Sequence, residues 1–136
     1  MHWVSYFKTT KPYAHRIVCE FASNIQETEN LREYLLRGGF LLIDDFWGQR
    51  QWDAFYTDFS RIFPDRQLVE LQSDHEIFHT FYDIDGPQMI PGRGGRQGFG
   101  QAGMNTARNH AILDDDGRVM VLINWTSDMG DGWEHT

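Results

Sequence analysis

The chain has 136 residues, enough for one domain with a real core, and its 20 acidic against 12 basic side chains leave a formal charge of -8. That balance argues against a general phosphate-binding surface for nucleic acid or anionic lipid and favours a small neutral or cationic ligand. The single cysteine, Cys19, excludes an intramolecular disulfide and a cysteine-based structural zinc site. Met1 to Tyr13 hold no apolar run long enough for a signal peptide or membrane span, so the expectation is a cytoplasmic chain without membrane insertion, exported only if the native amino terminus is missing.

Residues 1–15 show neither a two-residue nor a 3.6-residue period and read as an irregular arm. Ile17, Val18 and Cys19 form a candidate short strand. Asn24 with Glu27 three residues on resembles a capping box, and Leu31, Tyr34 and Leu35 then recur at helical spacing until Gly38. Phe40 to Ile43 is an uninterrupted apolar run that leaves through Asp44 and Asp45, the pattern of a strand buried on both faces. Trp52, Phe55, Tyr56, Phe59 and Phe63 share one face of a second helix, which Pro64 is expected to end.

Leu68 to Leu71 reads as another short strand. The glycine-rich stretch from Pro87 to Gly103, with Pro91, Arg93 and Arg96, cannot sustain a helix or a central strand and reads as a long loop. Asp114, Asp115, Asp116 and Gly117 form a turn that leads a hairpin from Ala111, Ile112 and Leu113 into the apolar run Val119 to Ile123.

Two acidic clusters therefore follow buried apolar runs, where an open parallel sheet receives its ligands. Asp44 and Asp45 suit a metal ligand and a general base, or alternatively a cap on nearby backbone amides. Asn124, Trp125, Asp128, Asp131 and Trp133, with Glu134, combine oxygens for a cation with indole faces for a neutral ring; the tryptophans serve equally as a lid on the sheet. His75-Glu76-Ile77-Phe78-His79 matches the H-E-x-x-H pattern, but a helix breaker at Gly86-Pro87 follows closely and no third histidine sits at a recognised spacing. The bland alternative is a short turn in which Ile77, Phe78 and Phe81 pack on the core. Cys19 lacks the glycines of a nucleophile elbow, and Gly92-Arg93-Gly94-Gly95-Arg96 lacks the spacing of a phosphate-binding loop.

The block from Leu31 to Gly48 closely resembles the bacterial domain-of-unknown-function family 4159. So do Phe63-Pro64-Asp65-Arg66, Asp74-His75 with Ile77-Phe78-His79, and the stretch from Asp116-Gly117-Arg118 through Asn124 to Glu134. The resemblance covers most of residues 31–136, in the family's order, and fades before residue 31. It implies an α/β fold of the class I glutamine-amidotransferase-like superfamily: a three-layer, flavodoxin-like domain with a mainly parallel sheet and its first strand-helix units shortened. The family commonly shows proline at the position of Glu76, which makes the zinc-peptidase glutamate accidental. No amidotransferase nucleophile elbow or histidine-glutamate pair maps onto this chain.

The expected organisation is a divergent arm and first strand over residues 1–30, followed by a single α/β domain over 31–136. The expected function is a noncatalytic ligand-binding or assembly module, with ligand contacts from Asp44, Asp45, Asn124, Trp125, Asp128, Asp131 and Trp133. The competing expectation is a metal-assisted hydrolase in which Asp44, His75, His79 and Asp131 hold a divalent metal. Trp3, Tyr6 and Phe7 are expected to cover a sheet edge in a homodimer.

Overall fold

The computed structural model describes residues 5–7, 25–90 and 106–130. Its elements are β1 (Ser5–Phe7), α1 (Ile25–Leu36), β2 (Leu41–Phe46), α2 (Gly48–Phe59), β3 (Val69–Glu70), a 3-10 turn (Glu76–Phe78), β4 (Arg108–Leu113) and β5 (Val119–Trp125). The strands form one sheet in the order β1-β2-β5-β4-β3.

The first two pairings, β1 with β2 and β2 with β5, are parallel, whereas β4 runs antiparallel to both β5 and β3. The sheet is therefore mixed, not mainly parallel. The cause is the hairpin turn: Gly117 takes a positive φ of 84°, and the Asp114 carboxylate accepts from the Asp116 and Arg118 amides at 3.0 and 2.8 Å. So tight a turn can only return the chain antiparallel. Residues 5–7, expected to be irregular, are a strand; three residues are too few to show a period. The candidate strand at Ile17 and the Asn24 cap lie outside the described residues, as do Trp3 and the side chains of Tyr6 and Phe7.

α1 stops where glycine lets it. Gly38 has φ +100°, and the amides of Gly38 and Gly39 donate to the carbonyls of Leu35 and Tyr34 at 3.2 and 2.9 Å, the paired bonds of a left-handed helix cap. Arg118 reaches the same helix end from the hairpin, donating to the Gly39 and Leu35 carbonyls at 2.9 and 3.0 Å. A cation there complements the negative end of the helix. α2 ends at Phe59, earlier than Pro64 suggested, because the chain tightens into turns; the Ile62 amide bonds the Phe59 carbonyl at 3.0 Å. Phe63 is buried all the same.

By two-residue alternation Leu41 and Ile43 of β2 share a face with Val121 and Ile123 of β5. Leu35 of α1 and Phe55 and Phe59 of α2 join them in one apolar core. Leu71, Phe78 and Ala111 make a smaller cluster, joined by the partly buried Ile77, Leu113, Val119 and Leu122. No helix among the described residues is long and apolar enough to cross a membrane.

Ile123 is wholly buried between the helices and the sheet. Replacing it with Ala should lower the unfolding free energy by about 2–5 kcal/mol, through lost transfer energy and the cavity left behind. Urea denaturation of Ile123→Ala measures this, and an unchanged midpoint would reject the placement of the core.

Candidate functional site

β2 is longer than its apolar run suggested, and Asp44 and Asp45 lie inside the strand. Between Ile43 and Phe46 the pairing with β5 shifts register, as Ile43 faces Ile123 while Phe46 faces Trp125. That bulge places one extra residue on β2. Asp45 absorbs it with a positive φ of 63°, and its amide donates to the Ser127 carbonyl at 3.1 Å. The Trp47 indole donates to the Asp45 carboxylate at 3.3 Å.

Asp44 is almost fully buried, at 1 % exposure. One carboxylate oxygen accepts from the Asn124 side-chain amide at 3.3 Å, and the other accepts from the Gly130 backbone amide at 2.8 Å. Asn124 in turn accepts from the Asn109 amide directly across the hairpin. A buried polar row thus crosses three neighbouring strands, β2, β5 and β4. Burial is the main cause that raises the Asp44 pKa above the ordinary aspartate value, opposed by hydrogen bonds from the Gly130 and Met129 amides and from Asn124, and assisted by the nearby Asp128 charge.

The chain leaving β5 is equally buried: Thr126, Ser127 and Asp128 are 2 %, 1 % and 2 % exposed. Thr126 has φ +64°, a strained setting for a β-branched residue and of the kind that clusters at functional sites. Residues 88–90 strap this turn in place. The Ser127 hydroxyl donates to the Gln88 carbonyl at 2.8 Å and accepts from the Ile90 amide at 3.1 Å, while the Asp128 amide donates to the Ile90 carbonyl at 2.8 Å.

The structure therefore brings Asp44, Asn124 and Asp128 together at the carboxyl edge of β2 and β5, with Asp45 bonded to the same turn. Trp125 points to the opposite face, since adjacent strand residues alternate. There it packs against Trp52 at 4.7 Å between ring centroids, with the Arg108 guanidinium 5.7 Å from its ring. Asp131, Trp133 and Glu134 lie outside the described residues.

The two histidines of the H-E-x-x-H pattern flank the 3-10 turn as its caps rather than lying one turn apart on a helix. His75 Nδ1 accepts from the Ile77 amide at 3.2 Å. His79 is held on both sides, by the Asp83 carboxylate at Nδ1 and by the Ser73 carbonyl at 2.9 Å from Nε2. Both partners are acceptors, so the arrangement suits an imidazolium, and its pKa is raised first by the Asp83 bond and then by the Ser73 carbonyl. Among the described residues no three His, Cys, Asp or Glu side chains are grouped to hold a metal ion. Phe81, expected in the core, is 86 % exposed, because the bond from the Ile84 amide to the Phe78 carbonyl at 3.1 Å loops the chain outward between them.

Sequence reasoning missed Asn109, Ser127 and the strap at residues 88–90. Asn109 carried one usable signal, an amide in a hairpin strand opposite another amide, but the pairing is visible only once the hairpin register is known.

A mixed α/β domain with a buried polar row at the parallel strand ends is the class that fold and site define. The chain belongs to the family described as Domain of unknown function (DUF4159), whose model matches residues 13–136. That match begins well before residue 31, where the resemblance faded on reading the sequence. No curated protein matches the chain.

Two pH effects follow with opposite chemistry and the same sign. Asp44 has a raised pKa when folded, so the native state holds its proton more tightly than the unfolded chain does. Its titration contributes stability that is complete below the ordinary value of about 3.9 and is lost as pH rises through the raised value. The stability advantage of wild type over Asp44→Asn should therefore shrink as pH rises across that window in urea titrations; an advantage that grows would contradict the burial of the carboxylate.

His79 is raised as well, so its contribution is complete below about 6.5 and fades as pH climbs through the raised value. Asp83→Asn should move the His79 titration, followed by NMR of the ring protons, to lower pH. An unmoved titration would show that the pair does not form.

Proposed function

We propose that this domain is a noncatalytic binding and assembly module of the layered, amidotransferase-like kind, with the carboxyl edge of β2 and β5 as the frame for its recognition loops. The observation that carries this reading is the commitment of Asp44. Both of its oxygens accept hydrogen bonds from groups of the domain itself, Asn124 and the Gly130 amide, at 3.3 and 2.8 Å. A general base has to be reached by a substrate or water, and Asp44 is 1 % exposed. This carboxylate instead fastens a loop to the sheet.

Support for the layered fold comes from β1, α1 and β2, a parallel strand-helix-strand unit of the sort such domains repeat. The chain's formal charge of -8 suits a small neutral or cationic ligand in preference to an anion. In the competing metal-assisted hydrolase His79 would have to release the Asp83 carboxylate or the Ser73 carbonyl, since both of its ring nitrogens are engaged.

The test is thermal melting with chelator, then with magnesium, manganese or zinc added back. A binding module that does not depend on a metal keeps the same melting temperature throughout. A rise in melting temperature with one of these ions that Asp44→Asn abolishes would replace this reading with the hydrolase.

A further inference from the structure

Between β3 and residue 86 the chain forms a loop that is pinned at its base and apolar at its tip. Phe78 anchors it, buried at 6 % exposure. The His75 amide bonds the Gln72 carbonyl at 3.0 Å, the Thr80 hydroxyl bonds the Glu76 carbonyl at 2.9 Å, and the Ile84 amide closes onto the Phe78 carbonyl at 3.1 Å. His79 ties Ser73 to Asp83 across the loop. Gly86 turns the chain with φ +118°, where a Cβ would come within 3.2 Å of the Ser73 side chain.

This bonding holds two aromatic rings in water. Phe81 is 86 % and Tyr82 74 % exposed, and their rings meet edge to face at 4.7 Å. Exposed aromatics in mutual contact on a braced loop have the form of an interface hot spot, in which large rings bury much area and a preformed backbone limits the ordering cost. The loop's charge specifies what approaches. Asp74, Glu76 and Asp85 are exposed on the same loop, Asp83 is paired with His79, and no Lys or Arg occurs between Arg66 and Arg93.

We infer that the loop of residues 73–86 is a protein-docking surface whose partner is a basic polypeptide segment with apolar anchors, Phe81 and Tyr82 filling its apolar positions while Asp74, Glu76 and Asp85 face its Lys or Arg side chains. This deepens the assembly reading above and rests on it. At the carboxyl edge the turn of residues 126–128 is buried and strapped, whereas this loop presents rings outward.

The test titrates the full chain into a fluorescein-labelled synthetic peptide of interspersed lysine and leucine, followed by fluorescence anisotropy, with a glutamate-for-lysine peptide as control. Wild type should bind the lysine peptide and not the glutamate one, and added salt should weaken binding. Phe81→Ala/Tyr82→Ala should bind about tenfold more weakly, the loss expected of a hot-spot pair. Both residues are exposed, so an unchanged melting temperature shows that the double variant still folds. Asp74→Asn/Asp85→Asn should reduce both binding and its salt dependence. No binding of the lysine peptide, or binding that the aromatic double variant leaves unchanged, would overturn the inference. So would wild-type self-association in sedimentation, or binding to neutral phosphatidylcholine vesicles, that the same double variant abolishes, since the rings would then serve a second copy or a lipid surface. A metal-dependent melting shift removes the noncatalytic reading without touching this titration, and failure of the titration leaves the chelation result standing.

Discussion

A carboxylate buried in the interior has to be neutralised or fully hydrogen-bonded, and Asp44 imposes that requirement on the whole carboxyl edge. Burial tends to protonate it, while two backbone amides and an asparagine hold it as an acceptor. To supply those donors the chain after β5 has to turn back over the sheet, through a strained Thr126 and a buried Ser127 and Asp128. Residues 88–90 complete the arrangement by pairing with that turn. The polar row joining Asn109, Asn124 and Asp44 also fixes the relative register of three strands, because a shift of one residue would carry each side chain to the opposite face.

Arginines play the equivalent part on the helix side. Arg32 of α1 forms two 2.8 Å bonds to Asp65 and a third, at 3.0 Å, to the Ile62 carbonyl, with its guanidinium 4.8 Å from the Phe63 ring. Arg66 reaches the Leu113 carbonyl at 3.0 Å, and Arg118 closes the end of α1. Each links segments far apart in the chain. All three arginines lie in the blocks that carried the family resemblance, around Leu31 to Gly48, Phe63 to Arg66 and Asp116 onward. Exposed ion pairs add little to stability, so the importance of these clasps lies in the backbone carbonyls they satisfy and the geometry they fix.

The functional reading depends on the contrast between bonded and presented groups. At the carboxyl edge the polar side chains are turned inward and serve the fold, whereas the loop after β3 spends its hydrogen bonds on its own base and leaves two rings in solvent. Family membership is consistent with this division but assigns no chemistry to it.

Much of the fold was legible in local sequence. The apolar runs of β2 and β5, the helical spacing of Leu31, Tyr34 and Leu35, the stop at Gly38 and the turn through Gly117 all depend on neighbours a few residues away, and periodicity or glycine chemistry reports such neighbours directly. The run of carboxylates after Ile43 likewise pointed to the edge where Asp44, Asn124 and Asp128 meet. Sequence could not show that Asp44 and Asp45 belong to a bulged strand, that Asn124 and Trp125 part to opposite faces at that point, or that Phe81 leaves the core. The first two outcomes depend on register between strands some eighty residues apart, as in the 3.3 Å bond from Asn124 to Asp44, and the third on the bond that closes the loop from Ile84 onto Phe78. The mixed direction of the sheet was decided in the same way. Local pattern marks a strand as buried, but which neighbour it pairs with is settled only when all the strands compete for the same hydrogen bonds.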